Sequence, residues 1–381
     1  MNKSIDKNVM KKIFQLISSI QLGGAEIIAF HLSEYGNLSH SAEISVVELY
    51  RTRNSYADHK RKELERKNIR IITLHRGSRR GSLLFGPLHL FFLILKEKPS
   101  IIHSHTDLPD FVLAVAIRIL TLFRIKTPEV VRTIHNTQLW RTHHKMGRIA
   151  ESAYGNEPVA AVSSYAMVAY EQLRKKYRLP LSPNRQIIYN GCAVPQQCPH
   201  PFKINKEKIN IAFCGRFEDY KGMETLISAI PEVGRLYPGS FLFHLIGDGT
   251  YKKRLLQLSQ QRSDVLLYDP VPNVSTMFYA FDFLFMPSHF EGLTLISIEA
   301  SFAGVPVIAS FAPGLDETLP ENWPLKFHLE RQEELYAIFE KIKEHFYNIN
   351  KLRKMAFDFA MMKFSMNKMI ESYAQLYTKM L

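Results

Sequence analysis

Short runs of apolar and β-branched residues alternate along the chain with longer segments whose apolar positions recur at helical spacing. In the first half these runs lie at residues 13–20, 44–49, 69–74, 101–105, 130–134 and 159–162. The rhythm begins again at residues 209–213 and continues at 241–246, 265–268, 283–286 and 305–308. Such alternation is typical of parallel sheets with helices on both faces. We therefore predict an α/β fold with two doubly wound, Rossmann-like domains.

Residues 180–208 separate the two series and contain five prolines, so we interpret them as the linker. The predicted domains are residues 1–200, completed by a C-terminal helix at 364–381, and residues 201–363. A chain of 381 residues is long enough for two domains. Ligands of such sheets bind beyond the carboxyl ends of the strands. We therefore expect the chemistry there, in a cleft across which the two domains face each other.

Composition excludes several classes of protein. With 46% hydrophobic and 22% charged residues, the chain is neither disordered nor a repeat array. Cys192, Cys198 and Cys214 form no even framework and no CxxC pair, which favours a reducing compartment. The apolar run at residues 83–95 is too short for a bilayer, which needs about 20 residues. We expect a cytoplasmic protein without a membrane span or a cleaved signal peptide.

The formal net charge of +13 resides entirely in the first half. Residues 1–204 hold 30 Lys and Arg against 15 Asp and Glu, whereas the remainder holds 19 against 21. Residues 51–80 alone carry eleven basic and three acidic residues, and the apolar run at 83–95 follows directly. This combination predicts peripheral attachment to the anionic inner face of a cytoplasmic membrane. The alternative is an ordinary basic loop before a core helix.

A nucleic acid would also match the positive charge. The basic segment, however, lacks interleaved aromatic residues, and the chain contains no recognisable nucleic-acid-reading motif. We therefore expect no nucleic-acid partner, and a basic nucleic-acid-binding protein is the weakest alternative.

The first candidate site follows the strand at 209–213. Arg216 and Lys221 stand in a loop closed by Gly215 and Gly222, directly before a helix. Two cations beside helix-terminal amides can hold a diphosphate and stabilise its charge as it departs. An isolated pair of this kind is commonly a solvent-facing turn, but its position after a strand favours the binding role.

The second candidate site follows the strand at 283–286. Glu291 falls in the loop at the strand end, and Glu299 lies further along the next helix, with seven residues between them. A carboxylate can bind a vicinal ribose diol, and the amides around Gly292 can bind phosphate or sugar hydroxyls. Two glutamates facing solvent on an amphipathic helix are the alternative.

Together the two sites resemble the retaining family-four glycosyltransferases of GT-B architecture (glycosyl transferases group 1). Gly215-Arg216…Lys221-Gly222 resembles the phosphate loop of the family, and Glu291 to Glu299 resembles its motif of two glutamates. Further matching fragments extend the likeness over nearly the whole chain: Gly23-Gly24-Ala25-Glu26, residues 101–105, 133–136, 161–163, 188–191, 245–249 and 303–307. The ordered set is specific to the family but not to one substrate.

The resemblance implies a role for each matching residue. Arg216 and Lys221 would bind the diphosphate of the donor, Glu299 its ribose, and Glu291 would lie near the transferred sugar. The amides of the four residues that follow Glu291 would contact sugar hydroxyls or phosphate; these are Gly292, Leu293, Thr294 and Leu295. From the first domain, His135 would reach a sugar hydroxyl and Gly24 would allow close backbone approach. The remaining candidate histidines are interpreted as core or exposed residues, with His105 a second candidate for the cleft: His103, His105, His143 and His144.

The implied reaction is retaining transfer of a hexose-type sugar from a nucleoside-diphosphate sugar, most simply a UDP-sugar. The acceptor would be a saccharide or lipid-linked saccharide of a surface polysaccharide or glycolipid pathway. No Asp-x-Asp stands at a strand end, and Arg216 with Lys221 can replace a metal charge, so we expect neither a metal ion nor a cofactor.

Two departures from the common family pattern leave the donor open: Leu293-Thr294 replaces Phe-Gly, and Tyr268-Asp269-Pro270 replaces a glycine. A nucleotide-sugar epimerase or hydrolase of the same fold is the nearer alternative, since it would convert the donor without an acceptor.

Overall fold

A computed structural model of the chain describes residues 11–21, 23–39 and 42–380. It divides into two compact units. The first contains the described residues up to Tyr189 together with those from Met369 onward, and the second is Asn190–Lys368. The boundary between the units thus lies between residues 189 and 190. The sequence analysis placed it after residue 200.

The first unit is built on a parallel sheet of seven strands in the order β3-β2-β1-β4-β5-β6-β7. Its strands are β1 Lys11–Ile17, β2 Ala42–Tyr50, β3 Arg70–His75, β4 Ile101–His105, β5 Glu129–Ile134, β6 Val159–Ala161 and β7 Arg185–Ile187. The order turns between β1 and β4, which are neighbours in the sheet but not in the sequence. Such a point is where doubly wound sheets bind ligands.

Six helices connect these strands, and the last helix of the chain belongs to the same unit. They are α1 Gly24–Ser39, α2 Ser55–Arg66, α3 Arg79–Glu97, α4 Asp107–Leu122, α5 His144–Glu151, α6 Ser164–Tyr177 and the C-terminal α12 Met366–Thr378. Tyr373 and Tyr377 of α12 are buried and hydrogen bond to side chains of the sheet. Among the described residues, no helix has the length and apolar character that crossing a bilayer requires.

The second unit contains a parallel sheet of six strands in the order β10-β9-β8-β11-β12-β13. The strands are β8 Ile209–Arg216, β9 Phe241–Asp248, β10 Val265–Tyr268, β11 Phe283–Met286, β12 Val307–Ser310 and β13 Lys326–Phe327. The helices are α7 Met223–Leu236, α8 Lys252–Gln261, α9 Leu295–Phe302, α10 Gln332–Lys343 and α11 Ile349–Phe364. Here the order turns between β8 and β11. The predicted doubly wound α/β fold is confirmed in both units.

The sequence analysis did not predict two of the strands, β7 and β13. The predicted linker at residues 180–208 is too long, because Arg185–Ile187 pairs with β6 as the seventh strand of the first sheet. Three residues between prolines carry no readable periodicity, and all three are exposed at the sheet edge. The two-residue β13 is equally short. Both are fixed by the neighbouring strand and not by their own pattern.

Candidate active site

The predicted residues of the second unit lie at the carboxyl ends of the two strands where the sheet order turns. Arg216 is the last residue of β8, and a 3-10 turn at Asp219–Lys221 follows it. The loop with Glu291 follows β11, and Glu299 lies in α9. Because both loops leave the same edge of the sheet, residues 70 positions apart in the sequence come into contact.

Gly222 sets how closely these two loops approach. Its φ of 73° lies in the left-handed region, and a Cβ built on it would stand 1.8 Å from the carbonyl oxygen of Pro287. No side chain fits there without displacing the backbone of the second loop. Glycine at this position therefore serves packing between the loops as well as the turn itself.

Backbone and aromatic contacts hold the loops together. The His289 amide donates a 2.8 Å hydrogen bond to the carbonyl of Tyr220. The rings of Tyr220 and Phe290 stack with their centroids 5.3 Å apart. These contacts join the two motifs, which are separate in the sequence, into one surface.

Three of the predicted charged residues meet on this surface. The Lys221 ammonium donates a 2.6 Å hydrogen bond to Glu291 Oε1, and the Ser288 hydroxyl donates a second one of 2.9 Å to the same oxygen. The exposed Arg216 guanidinium lies 5.4 Å from the centre of the Tyr220 ring, and Lys221 Nζ lies 5.6 Å from it. Two cations thus lie near a single aromatic ring, and a carboxylate pairs with one of them.

Glu299 has a different environment. It is half-buried in α9, where Ser275 hydrogen bonds to its carboxylate. Burial raises the pKa of Glu299 to about 7, because loss of solvent disfavours the charged form more than the Ser275 hydrogen bond favours it. A buried carboxylate that titrates near neutrality is a common property of functional sites.

The four residues that follow Glu291 lead into α9. Leu293 and Thr294 are buried, and Gly292 and Leu295 are half-buried. The Thr294 amide donates a hydrogen bond of 3.3 Å to the carbonyl of Gly314. That amide is therefore already bonded within the protein.

In the first unit, His135 follows β5 and is almost completely buried. Its Nε2 lies 3.0 Å from Nδ1 of His105, which the sequence analysis ranked as a weaker candidate. His103 is also fully buried, whereas His143 and His144 are exposed. Gly24 is the exposed first residue of α1.

Sequence reasoning missed the side chains that hold the predicted ones in place. Tyr220, Ser288 and Ser275 of the second unit belong to this group. Tyr220 and Ser288 stand within or beside the motifs, which is the one signal that they offer. Within the described part of the chain, no group of three or more His, Cys, Asp or Glu side chains is placed to hold a metal ion.

The family model described as Glycosyl transferases group 1 matches residues 208–343, which contain both loops and α9. Over those residues the chain resembles this family, as the sequence analysis predicted. Its relatives include an uncharacterized 41.2 kDa protein in the cps region of Klebsiella pneumoniae, 26% identical over 79% of this chain and 86% of that protein. An O-antigen biosynthesis glycosyltransferase, WclY of Escherichia coli, is 23% identical over 74% of this chain and 79% of its own.

Solved glycosyltransferase structures share the fold of nearly the whole chain. Anabaena Alr3699/HepE in complex with UDP matches with a TM-score of 0.77 at 18% identity, over 97% of this chain and 100% of that one. The lipopolysaccharide outer core galactosyltransferase WaaB matches with a TM-score of 0.68 at 14% identity, over 98% and 100%. The predicted GT-B fold is thereby confirmed, and the family model together with the named relatives supports a glycosyltransferase enzyme.

The packing of Gly222 against Pro287 yields a stability prediction. We expect Gly222→Ala to lower the free energy of unfolding by the cost of the left-handed backbone, about 1–2 kcal/mol, plus about 1–3 kcal/mol for displacing the second loop. Gly239→Ala is the matched control, because Gly239 has a φ of 75° in the same unit but no atom within 4 Å of its Cβ position. Urea denaturation measures both; equal losses would mean that the contact with Pro287 contributes nothing.

The raised pKa of Glu299 predicts a pH dependence of stability. The folded state binds the proton of Glu299 more tightly than the unfolded state, so the free energy of unfolding should fall as pH rises from the ordinary value of 4.5 to about 7. Glu299→Gln should remove that part of the fall. Chemical denaturation across this range tests it, and an unchanged slope in the variant would contradict the assignment to Glu299.

Proposed function

We propose that the protein transfers a hexose-type sugar from a UDP-sugar to a hydroxyl of a saccharide or lipid-linked acceptor, with retention of configuration. The observation that carries the proposal is the cluster of Arg216, Lys221 and Glu291 at the carboxyl ends of β8 and β11. Relatives named for O-antigen biosynthesis and for a cps region support a surface-polysaccharide pathway, and the UDP complex of a structural neighbour supports the nucleotide.

Arg216 and Lys221 are the proposed diphosphate ligands. Glu291 fixes the Lys221 ammonium at the strand end, and Tyr220 lies between the two cations. An incoming diphosphate adds anionic oxygens to cations that are already oriented, so little reorganisation is needed as negative charge develops on the leaving group. The fixed charge takes the place that a divalent ion would otherwise have.

Glu299 is the proposed ligand of the ribose diol. Its carboxylate titrates close to neutrality, so proximity to bound hydroxyl donors would favour the charged form that accepts their hydrogen bonds. Glu291 would lie near the transferred sugar. Because the Thr294 amide is bonded to Gly314, we do not propose it as a contact of the sugar or the phosphate.

From the first unit, His135 would contact a sugar hydroxyl, and Gly24 would allow the backbone to approach the ligand closely.

In the proposed step the acceptor oxygen bonds to the anomeric carbon on the face from which the diphosphate departs. The bond between that carbon and the diphosphate oxygen breaks, and the hydroxyl proton leaves with the nucleoside diphosphate. This route needs positive charge at the leaving group rather than a protein nucleophile.

Peripheral membrane attachment is part of the proposal, because the acceptor would be lipid-linked. The predicted apolar run lies in α3, which exposes Leu84, Phe85, Leu88 and Phe92. The ring of Phe123, exposed after α4, lies 6.1 Å from that of Phe91 in α3 and extends the apolar surface. We call these five exposed residues the apolar face.

Residues 51–80, which precede α3, carry less unpaired positive charge than their composition indicated. Arg61 is buried against Glu48, Lys60 and Lys67 contact Glu63, and Arg70 contacts Glu97. Several basic residues of the segment remain exposed beside or before α3: Arg51, Arg53, Lys62, Arg66, Arg76, Arg79 and Arg80. An apolar face flanked by exposed arginines complements an anionic bilayer surface better than it complements a neutral protein.

Donor binding tests the diphosphate assignment. We expect UDP or a UDP-sugar to raise the melting temperature of the protein, and Lys221→Ala to weaken binding about tenfold or more because a charge-assisted contact is lost. Lys354→Ala is the matched control, since Lys354 pairs with Asp358 at the same 2.6 Å in the same unit but lies on α11. Calorimetry with UDP, GDP and ADP gives the affinities; equal effects of the two variants would place the diphosphate elsewhere.

Sedimentation with vesicles tests the membrane surface. We expect the protein to pellet with phosphatidylglycerol-containing vesicles at physiological salt, and Leu84→Ser combined with Phe85→Ser and Phe92→Ser to abolish pelleting. Leu256→Ser, which alters an exposed apolar residue of the second unit, should leave it unchanged. Wild-type protein that stays in the supernatant, or a triple variant that pellets equally, would remove membrane attachment from the proposal.

A further inference from the structure

His135 belongs to a continuous chain of hydrogen bonds through the interior of the first unit. From His135 Nε2 the chain passes 3.0 Å to His105 Nδ1, and from His105 Nε2 it passes 2.8 Å to Gln15 Oε1. Gln15 Nε2 then donates a 3.0 Å hydrogen bond to the hydroxyl of Tyr377. The strands β4 and β1 and the helix α12 thus each contribute one side chain to this path, and His135 follows the end of β5. We call the path the relay.

The relay continues beyond Tyr377 to a second tyrosine of the same helix. The Tyr377 hydroxyl lies 2.6 Å from His103 Nδ1, and His103 Nε2 lies 2.6 Å from the Thr133 hydroxyl. Thr133 Oγ1 lies 2.9 Å from the hydroxyl of Tyr373. All these side chains are buried, so each polar atom depends on its neighbour in the relay.

The three imidazole rings are neutral in this environment. Burial lowers the pKa of His135 to about 3 and lowers the pKa of His103 and His105 well below the ordinary value. A neutral imidazole has one N–H donor and one bare nitrogen acceptor. Each ring must therefore donate on one side and accept on the other.

The orientation of the Gln15 amide then sets the proton position on both histidines next to it. Because Gln15 Nε2 donates to Tyr377, its Oε1 must accept, and His105 carries its proton on Nε2. The bare Nδ1 of His105 accepts from Nε2–H of His135. His135 is consequently left with a bare Nδ1, which makes no hydrogen bond to any side chain that the structure describes.

In the other half of the relay, each hydrogen bond is donated in the same direction, away from His135 and towards Tyr373. Tyr377 accepts from Gln15 and has one proton to donate, which goes to Nδ1 of His103. His103 then donates from Nε2 to Thr133, and Thr133 donates to Tyr373. Each of these hydrogen bonds has one donor and one acceptor, so α12 supports one proton arrangement from its two tyrosines to His135.

We propose that Gln15 and Tyr377 are positioning residues that hold His135 as the Nε2–H tautomer and present its bare Nδ1 as a hydrogen-bond acceptor. The inference deepens the proposed function, on which it rests in one respect: the donor to Nδ1 would be a hydroxyl of the transferred sugar. The relay makes the C-terminal helix part of the chemistry of His135, whereas a packing role alone would require only apolar contacts.

The tautomer itself is the first test, and it needs no substrate. In full-length protein labelled with ¹⁵N-histidine, long-range proton–nitrogen correlation distinguishes Nδ1–H from Nε2–H, and the spectrum of His135→Gln identifies the His135 signals. We expect wild-type His135 to be the Nε2–H tautomer. Observation of the Nδ1–H tautomer in the wild-type protein would overturn the proposal without any variant.

Two variants of α12 then separate positioning from packing. Tyr377→Phe removes the acceptor of the Gln15 amide, which frees that amide to turn, and His135 should become a mixture of tautomers. Tyr373→Phe deletes an equally buried hydroxyl of the same helix at the far end of the relay and should leave His135 as Nε2–H. An unchanged tautomer in folded Tyr377→Phe, or the same change in both variants, would overturn the proposal.

Turnover distinguishes this inference from the proposed function. We expect Tyr377→Phe to lower kcat about tenfold with little change in KM for the donor, and to cause no further loss in a His135→Ala background. Losses that add in the double variant would mean that Tyr377 does not act through His135. If the tautomers behave as expected but no sugar is transferred, the relay stands and the proposed function fails.

Discussion

Parallel strands cannot be joined by a tight turn, so each connection in these sheets crosses back over the sheet before the next strand begins. Every strand therefore leaves the sheet at the same edge, and the loops at that edge are free to carry polar side chains. Doubly wound sheets bind ligands where the strand order turns, which is at β1 and β4 in one sheet and at β8 and β11 in the other. All ten predicted site residues depend on this constraint, because they lie at or beyond strand ends or in the helices that follow.

Within the second unit, close backbone approach converts two motifs into one surface. The absence of a side chain at Gly222 lets the first loop contact Pro287, and the Lys221–Glu291 contact then joins residues that the sequence separates by 70 positions. A charged pair of this kind would contribute little if both partners were mobile in solvent. Here Ser288 and Tyr220 restrict both groups, which is the condition for electrostatic preorganisation.

Removal from water disfavours the charged form of buried groups in both units, and it therefore shifts the pKa values of acids and bases in opposite directions. It raises the pKa of the Glu299 carboxyl into the neutral range, and it lowers the pKa of His103, His105 and His135 so far that these rings stay uncharged. The glutamate is thereby able to change its charge when a ligand arrives. The histidines act instead through the position of a proton, which the buried hydrogen bonds between them determine.

The sequence by itself determined the fold class, the order of the motifs and their placement at strand ends, because apolar periodicity and glycine-bounded loops are local properties. It could not determine which side chains meet. The strand β7, the bond that occupies the Thr294 amide and the pairing of Arg61 with Glu48 each depend on a partner distant in the chain. Gln15 and Tyr377 carry no motif, and only the parallel pairing of β1, β4 and β5 and the return of α12 connect them through His105 to His135. Tertiary structure decides such networks because hydrogen bonds act over about 3 Å in space, whatever the separation in sequence.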